Sequence, residues 1–233
     1  QSQYLGREVK PDDLASQVEF WSSAGYDFIP ITVGMMEPGE VTKESAISKI
    51  IDDMVLEDKD KAEDDDDKSW SLEYHSFIKN RKDFEAFPWD VLAEFNYDKF
   101  EDVKNYLPEG MKVIAISGKV FTLTWMLMGF NHFAVSLLDD RPFVADIFRK
   151  VTEIQYQSLR NVLEMDHVGA VKTVDDIAFG SGPIIMPEVY REFIFPAYKK
   201  MADMCHESDR FFCMHSDGDL TTLMGDLIEI GID

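Results

Sequence analysis

The sequence predicts an α/β protein of the (β/α)8 TIM barrel class, because two stretches repeat the pattern of a βα unit. Apolar runs at about 170–174 and 210–214 each end abruptly in polar residues, and a glycine-containing loop and a helical pattern follow. The polar ends are Asp175-Asp176 and His215-Ser216-Asp217. Ligands of parallel sheets bind beyond the carboxyl ends of the strands, so both ends are expected to face one pocket. One long helical pattern joins the two runs, which should therefore form adjacent parallel strands.

Strands and helices are expected to alternate along the whole chain. The predicted strands lie at about 27–33, 70–74, 112–116, 170–174 and 210–214. The predicted helices run from Pro11 to a stop at Gly25, and over Glu44–Val55, Arg81–Phe84, Asp98–Tyr106, Val120–Met128, Asn131–Leu138, Pro142–Glu164, Pro187–His206 and Gly218–Ile230. A closed barrel needs eight strands. We therefore expect residues 1–233 to form a single barrel domain that is cut at both ends.

Proline and glycine mark several helix boundaries. Pro11 suits a first turn, because its missing N–H would have no partner inside the helix there. Gly25 suits the left-handed residue that often follows a helix end. Pro196 instead lies inside a helical pattern, where it removes a hydrogen bond. We expect a bend near 192–195 for this reason.

Residues 58–68 carry a dense run of charge that includes Asp64 to Asp67. Like charges at this density repel one another and gain no burial, so the run is expected to be an exposed loop without regular structure. A cation site is the alternative. The surrounding sequence contains nothing rigid that would organise the carboxylates.

Composition limits the classes of protein to which the chain can belong. Of its 233 residues 45% are hydrophobic, which suits a buried core. Its formal net charge of −22 argues against nucleic acid or an anionic membrane as a partner. The chain has only two cysteines, no apolar run of about 20 residues and no signal-peptide pattern at its start. These features predict a cytoplasmic protein.

Four motifs give the chain a family resemblance. In chain order they are V-D-D-I-A-F-G-S-G, M-P-E-V-Y-R-E-F-I-F-P, M-H-S-D-G-D-L and I-E-I-G-I-D. They resemble the uroporphyrinogen decarboxylase superfamily, which includes uroporphyrinogen decarboxylase and the cobalamin-dependent methyltransferases that are similar to it. The similarity is clearest over about 165–233 and extends from Val113 onward. It implies a TIM barrel and an enzymatic function.

His215 and Asp217 are the predicted metal ligands. They alternate with Cys213, so the three side chains face one side of a continuing strand. Methyltransferases of the superfamily hold zinc with a His-x-Cys pair and a later cysteine, and the resemblance places His215-x-Asp217 at that pair. A carboxylate instead of a thiolate makes a harder site, which favours an oxygen-linked methyl group over a thiol. Two alternatives stay open: the pair acts in catalysis without metal, or it only hydrogen-bonds around the turn.

Asp175, Asp176 and His215 are the predicted catalytic residues. The two aspartates are adjacent, so on a strand they point to opposite faces. One is expected to enter the pocket as a general base or to orient His215. The other is expected to brace the loop at Gly180–Gly182, and bracing by both is the alternative. The alternation alone does not say which face is the pocket.

Ser117, Gly118, Trp125 and His75 are the predicted substrate-binding residues. Ser117 and Gly118 end one predicted strand, and His75 follows another. Trp125 belongs to a cluster of large apolar side chains that suits an apolar pocket. Packing between helices and sheet is the alternative for this cluster.

The resemblance leaves three functions open. The first is transfer of a methyl group between a small substrate and a corrinoid that a partner protein carries, with zinc as the candidate metal. The second is uroporphyrinogen decarboxylation. Its substrate carries many carboxylates, yet none of the seven arginines lies in the polar ends, and the family's arginine-rich N-terminal motif is absent. The third is a noncatalytic binding barrel.

Overall fold

The computed structural model describes residues 1–10, 13–33 and 76–233. Five predictions fall outside these residues. They are the position of Pro11 in a first helical turn, the helix Glu44–Val55, the acidic loop at 58–68, the strand at 70–74 and the assignment of His75 to substrate binding. They stay predictions.

Four parallel strands form the main sheet of the described residues. They are β1 (Phe28–Thr32), β2 (Lys112–Ile116), β3 (Val168–Val174) and β6 (Phe211–His215). Their order in the sheet is β1-β2-β3-β6. Four of the predicted strands are thus confirmed, and the last two are adjacent and parallel, as expected. A short antiparallel pair that the sequence did not predict, β4 (Ala178–Phe179) with β5 (Gly182–Pro183), follows β3.

Helices precede or follow the strands throughout the described residues. They are α1 (Ser2–Leu5), α2 (Leu14–Ser23), α3 (Arg81–Ala86), α4 (Trp89–Leu92), α5 (Asp98–Val103), α6 (Phe121–Met128), α7 (Phe130–Asp139), α8 (Arg141–Leu163), α9 (Pro187–Val189), α10 (Phe195–Glu207) and α11 (Met224–Ile230). The sequence did not predict α1 and α4. The longer helices agree with the predicted ones within one or two residues at most ends, apart from α11.

The two faces of the sheet differ in what covers them. Val171, Thr173 and Phe212 point to one side and are completely buried, where α8 contacts β3 and α10 contacts β6. We call this side the helix face. Lys172 and Val174 point to the opposite side and are only partly buried. We call that side the inner face, because it is the side that a closed barrel encloses.

Pro196 disturbs the helix in which it lies. A π-helical turn, Tyr190–Ile194, joins α9 to α10 immediately before this proline. The backbone N–H of Phe195 donates to the carbonyl of Tyr190. The wider turn accommodates a residue that has no N–H to donate. A π turn thus lies where the sequence predicted a bend, near 192–195.

The final helix begins later than predicted. The sequence pattern predicted a helix from Gly218, whereas α11 begins at Met224. Gly218 has a φ of +91°, which is outside the helical region. The carboxylate of Asp219 then accepts a hydrogen bond from the Thr221 amide at 2.9 Å. Such local side-chain bonds favour a turn over a helix, which explains the late start.

Within the described ranges, no single helix is both long and apolar enough to cross a bilayer. The pair α6 and α7 meets the length and composition criteria only when the two are taken together across a bend of 96°.

Candidate functional site

The carboxyl ends of β3 and β6 lie side by side, because the register pairs Val174 with His215. Asp176 and Asp217 follow two residues further along each segment. One ligand atom from each of Asp176, His215 and Asp217 lies within 4.8 Å of the other two. His215 Nε2 and Asp217 Oδ1 are 3.6 Å apart. The convergence predicted from the strand-end motifs is therefore confirmed, and we call these three residues the rim group.

Hydrogen bonds between the two strand ends hold the rim group in place. The Asp217 amide donates to Asp176 Oδ1 at 2.9 Å. The Ile177 amide donates to Ser216 Oγ at 3.0 Å, and this hydroxyl donates to the Asp217 carbonyl at 3.0 Å. Sequence reasoning did not single out Ser216. Its position between His215 and Asp217 was the available signal.

Gly218 lets the loop after β6 pack directly on the β4–β5 hairpin. A Cβ atom added to Gly218 would lie 2.4 Å from the Ala178 carbonyl oxygen and 2.6 Å from that of Phe179. The next residue, Asp219, donates its amide hydrogen to the Phe179 carbonyl at 2.8 Å. Only glycine combines this close approach with the positive φ. Gly218 therefore helps to position Asp217.

Asp175 lies on the helix face and is completely buried. Its carboxylate accepts hydrogen bonds from the amides of Val120, Phe121 and Thr122, each at 2.7 Å, and from the Tyr198 hydroxyl at 2.6 Å. These amides open α6, where N–H groups have no partner inside the helix and the helix dipole favours a negative charge. Asp175 thus braces α6 and α10. From the sequence, we expected the bracing aspartate to hold the loop at Gly180–Gly182 instead. It is not brought into the rim group.

Two buried tyrosines complete this bracing. Burial and the nearby Asp175 carboxylate raise the pKa of Tyr198 well above its ordinary value. Burial likewise raises the pKa of Tyr190, whose hydroxyl donates to the Ile177 carbonyl at 2.6 Å. Both hydroxyls therefore stay protonated and act as donors at neutral pH.

Ser117 and Gly118 make their contacts with helices. Ser117 Oγ lies 2.9 Å from Ser158 Oγ of α8, and the Gly118 amide donates to Gln155 Oε1 at 3.0 Å. A Cβ atom added to Gly118 would lie 3.2 Å from Met201 Sδ of α10. These contacts lie on the helix face, whereas the rim group belongs to the inner face. The structure therefore does not bring the two residues to the predicted pocket.

Trp125 packs within the layer of helices. Its ring meets the Phe130 ring edge to face, with the centroids 5.8 Å apart. The side chain also packs against the buried core. None of these contacts involves the rim group, and they match the packing alternative for this residue.

The rim group offers a donor set that fits a divalent cation. Two carboxylates and one imidazole supply two oxygen donors and one nitrogen donor. Tetrahedral zinc with bonds of about 2.0–2.2 Å places its donor atoms roughly 3.4 Å apart. The 3.6 Å between His215 Nε2 and Asp217 Oδ1 is close to that separation. Both side chains are exposed, 44% for His215 and 81% for Asp217, so a cation held there would keep positions open for substrate.

Comparisons with known proteins place the site in a family context. The family model described as uroporphyrinogen decarboxylase (URO-D) matches residues 74–233, a range that includes the whole rim group. No curated protein sequence matches the chain significantly. The fold is similar to that of a methyltransferase from Methanosarcina mazei, with a TM-score of 0.50 and 12% sequence identity.

The structural match covers 70% of this chain and 45% of the methyltransferase, so the chain spans less than half of that protein's length. At this identity the likeness concerns the fold alone. The four parallel strands with helices on one face are part of the (β/α)8 barrel that the family shares. The match to the family model extends over well more than half of the chain. The chain therefore belongs to the uroporphyrinogen decarboxylase family.

Proposed function

We propose that this chain moves a methyl group between an oxygen atom of a small substrate and a corrinoid that a partner protein carries. The observation that carries the proposal is the convergence of Asp176, His215 and Asp217 at adjoining strand ends. Catalytic groups of (β/α)8 barrels lie at this end of the strands. Fold similarity to a methyltransferase agrees with the proposal.

The three rim residues are the ones that would hold zinc. Their oxygen and nitrogen donors make a harder set than thiolates, which suits a methyl group bound to oxygen rather than to sulfur. When bound, zinc supplies a Lewis acid for the substrate oxygen and the partner's corrinoid supplies the methyl acceptor.

The chain itself supplies orientation. The Asp217 amide fixes one oxygen of Asp176, so the direction of the second oxygen is set before a ligand arrives. The Asp175 amide donates to the His215 carbonyl at 3.0 Å, which fixes the backbone below the imidazole. Groups held in this way bind and align a reacting atom without a further loss of conformational freedom.

The rim is also open to a large partner. Phe179, on the hairpin that packs against the loop after β6, is 59% exposed. An exposed aromatic side chain next to polar site residues is typical of a protein–protein contact. A corrinoid presented by another protein needs such an open approach.

Uroporphyrinogen decarboxylation has less support. A substrate with many carboxylates needs several cations at the pocket, but five of the seven arginines pair with carboxylates elsewhere. These pairs are Arg7–Glu19, Arg81–Asp146, Arg141–Glu192, Arg149–Asp146 and Arg191–Asp226. None of them involves the rim group.

Metal content and methyl transfer of the full-length protein test the proposal. Reduced cobalamin is the methyl acceptor, a panel of small methyl ethers provides donors, and the cobalamin absorbance reports the reaction. We expect transfer by the zinc-loaded parent, and a rate and zinc affinity lower by about 100-fold or more in His215→Ala. His132→Ala, on α7, is the matched control and should behave like the parent.

Equal zinc content and equal rates in the parent and His215→Ala would contradict the proposal. A parent that binds zinc and the ethers but never transfers a methyl group would favour the binding barrel instead.

A further inference from the structure

Lys172 lies on the inner face of β3, in line with the rim group. The register pairs it with Ile116 of β2 on one side and with Cys213 of β6 on the other. Val174 and Asp176 follow Lys172 on the same face. At about 3.3 Å per residue, the Cα atom of Lys172 lies roughly 7 Å from that of Val174 and roughly 13 Å from that of Asp176. Lys172 is therefore deeper in the barrel than the rim group.

A second lysine of this face, Lys112, has a protein partner. Lys112 lies at the amino end of β2, and its Nζ donates to the Asp166 carbonyl at 2.8 Å. Among the described residues, no hydrogen bond or ion pair engages Lys172. Its charge acts on the Cys213 thiol, where it counters the rise in pKa that burial causes. Lys172 is thus a cation held on the inner face without a counter-ion from the described part of the chain.

An unpaired ammonium group is unfavourable on a partly buried, largely apolar surface. It has three N–H donors, and each needs an acceptor from water or from a ligand. The chain carries 45 Asp and Glu residues, so carboxylates are abundant. Yet none of the described carboxylates forms an ion pair with Lys172. A ligand anion would supply the missing acceptor.

We infer that Lys172 binds an anionic group of the substrate, and that the substrate is a small methyl ether that also carries a carboxylate. The ether part of this inference rests on the proposed function, while the anion part rests on Lys172 alone. The methyl-bearing oxygen lies at the rim group and the carboxylate lies at the Lys172 ammonium. The separation of Lys172 and Asp176 along β3 suits an acid of about four to six carbon atoms.

Direct binding measurements test the anion part without any turnover. The probes are 4-methoxybutanoate and its neutral amide, and calorimetry measures their affinity for the zinc-loaded full-length protein. We expect the parent to bind the acid about tenfold more tightly than the amide. Lys172→Met should lose this preference, because it keeps the length of the side chain but removes the charge. Lys172→Arg should keep most of it, and Lys82→Met, an exposed control on α3, should keep all of it.

Equal affinity of the parent for acid and amide overturns the inference, as does binding of neither probe or an unchanged preference in Lys172→Met. If circular dichroism shows that Lys172→Met does not fold, the affinities of the parent for the two probes decide whether the inference holds. The two proposals fail in different ways. If the parent binds the acid more tightly than the amide but transfers no methyl group, the anion site is supported and the proposed function is contradicted. If the parent binds the acid and the amide equally well and transfers a methyl group equally fast from both, the proposed function is supported and the role of Lys172 is contradicted.

Discussion

Asp175 and Asp176 are neighbours in the chain, yet they serve different parts of the molecule. Asp175 is completely buried on the helix face, and four hydrogen bonds of 2.6–2.7 Å reach its carboxylate. Asp176 is exposed on the inner face and accepts one bond, from the Asp217 amide. Consecutive residues of a strand point to opposite faces of the sheet. The helix face therefore carries a carboxylate with a structural role, and the inner face carries one that can still bind a ligand. The number of hydrogen bonds that a carboxylate already accepts therefore distinguishes a bracing residue from a candidate ligand.

Alanine in place of each aspartate tests this division most strongly. Asp175→Ala leaves three helix amides and the Tyr198 hydroxyl without a buried acceptor, so we expect the free energy of unfolding to fall by about 3–5 kcal/mol. Asp176→Ala changes an exposed group and should lower it by less than about 1 kcal/mol. Urea unfolding measures both. Similar losses in the two variants would show that the faces do not divide the roles.

Gly218→Ala tests whether the loop after β6 depends on its contact with the hairpin. The new Cβ would meet the Ala178 carbonyl oxygen at 2.4 Å and the backbone has a positive φ. We expect a loss of about 1–3 kcal/mol in the free energy of unfolding, together with weaker zinc binding. Gly225→Ala is the matched control in α11, where a Cβ meets nothing within 4 Å. It should be neutral or stabilise by about 0.5–1 kcal/mol. Equal behaviour of the two variants would remove the positioning role of Gly218.

Ser216→Ala has a smaller expected effect on stability. It removes the acceptor of the Ile177 amide, and one such hydrogen bond contributes about 1 kcal/mol. Zinc affinity should fall by about 10-fold, because Ser216 helps to orient its neighbours in the rim group. Ser22→Ala, at an exposed position of α2, is the control for both measurements. A Ser216→Ala protein with unchanged zinc affinity would limit Ser216 to a structural role.

The two cysteines also differ between the helix layer and the inner face, and here we expect the smallest effect. Cys205, in the helix layer, is buried, and burial raises its pKa from 9.0 to about 12. Cys213, on the inner face, is only partly buried and also has a raised pKa, chiefly through burial. We expect a thiol reagent at pH 8 to modify Cys213 first and Cys205 only after unfolding. Mass spectrometry of digested samples measures the order, and faster modification of Cys205 would contradict its burial.

Cys205 also adds a pH dependence to stability. Between about pH 9 and pH 12 the unfolded chain releases this proton while the folded chain keeps it. The unfolded state then binds fewer protons, so the free energy of unfolding falls as the pH rises through this range. Unfolding curves across the range should show a smaller loss for Cys205→Ala than for the parent.

The sequence predicted four of the strands because each apolar run ends in its own polar or glycine signal. The pairing of Val174 with His215 is a long-range fact that no local pattern contains. Sequence reasoning therefore placed Asp175 and Asp176 on opposite faces of the strand but could not say which face is the pocket. The hairpin β4–β5 escaped prediction because two-residue strands are too short for a period-2 pattern.

Contacts between distant parts of the chain explain the remaining differences. The Ser117 hydroxyl meets Ser158, a residue 41 positions away, and this contact directs it to the helix face. A polar residue at a strand end is thus a sound site candidate only when no helix supplies it with a partner. Lys172 was missed for the opposite reason. It lies within a run that is otherwise apolar, and a charged residue at such a position was the signal.

The bonds that join the ends of β3 and β6 have a consequence for ligand binding. Three groups at these strand ends already have hydrogen-bond partners: the Asp217 amide, the Ile177 amide and the Ser216 hydroxyl. Conformational freedom at these residues is lost when the protein folds, not when a ligand arrives. An incoming ligand meets a loop whose backbone is already held by these bonds, so its affinity is not reduced by ordering of that backbone. The speed of association is then set by the approach of the ligand rather than by closure of the rim.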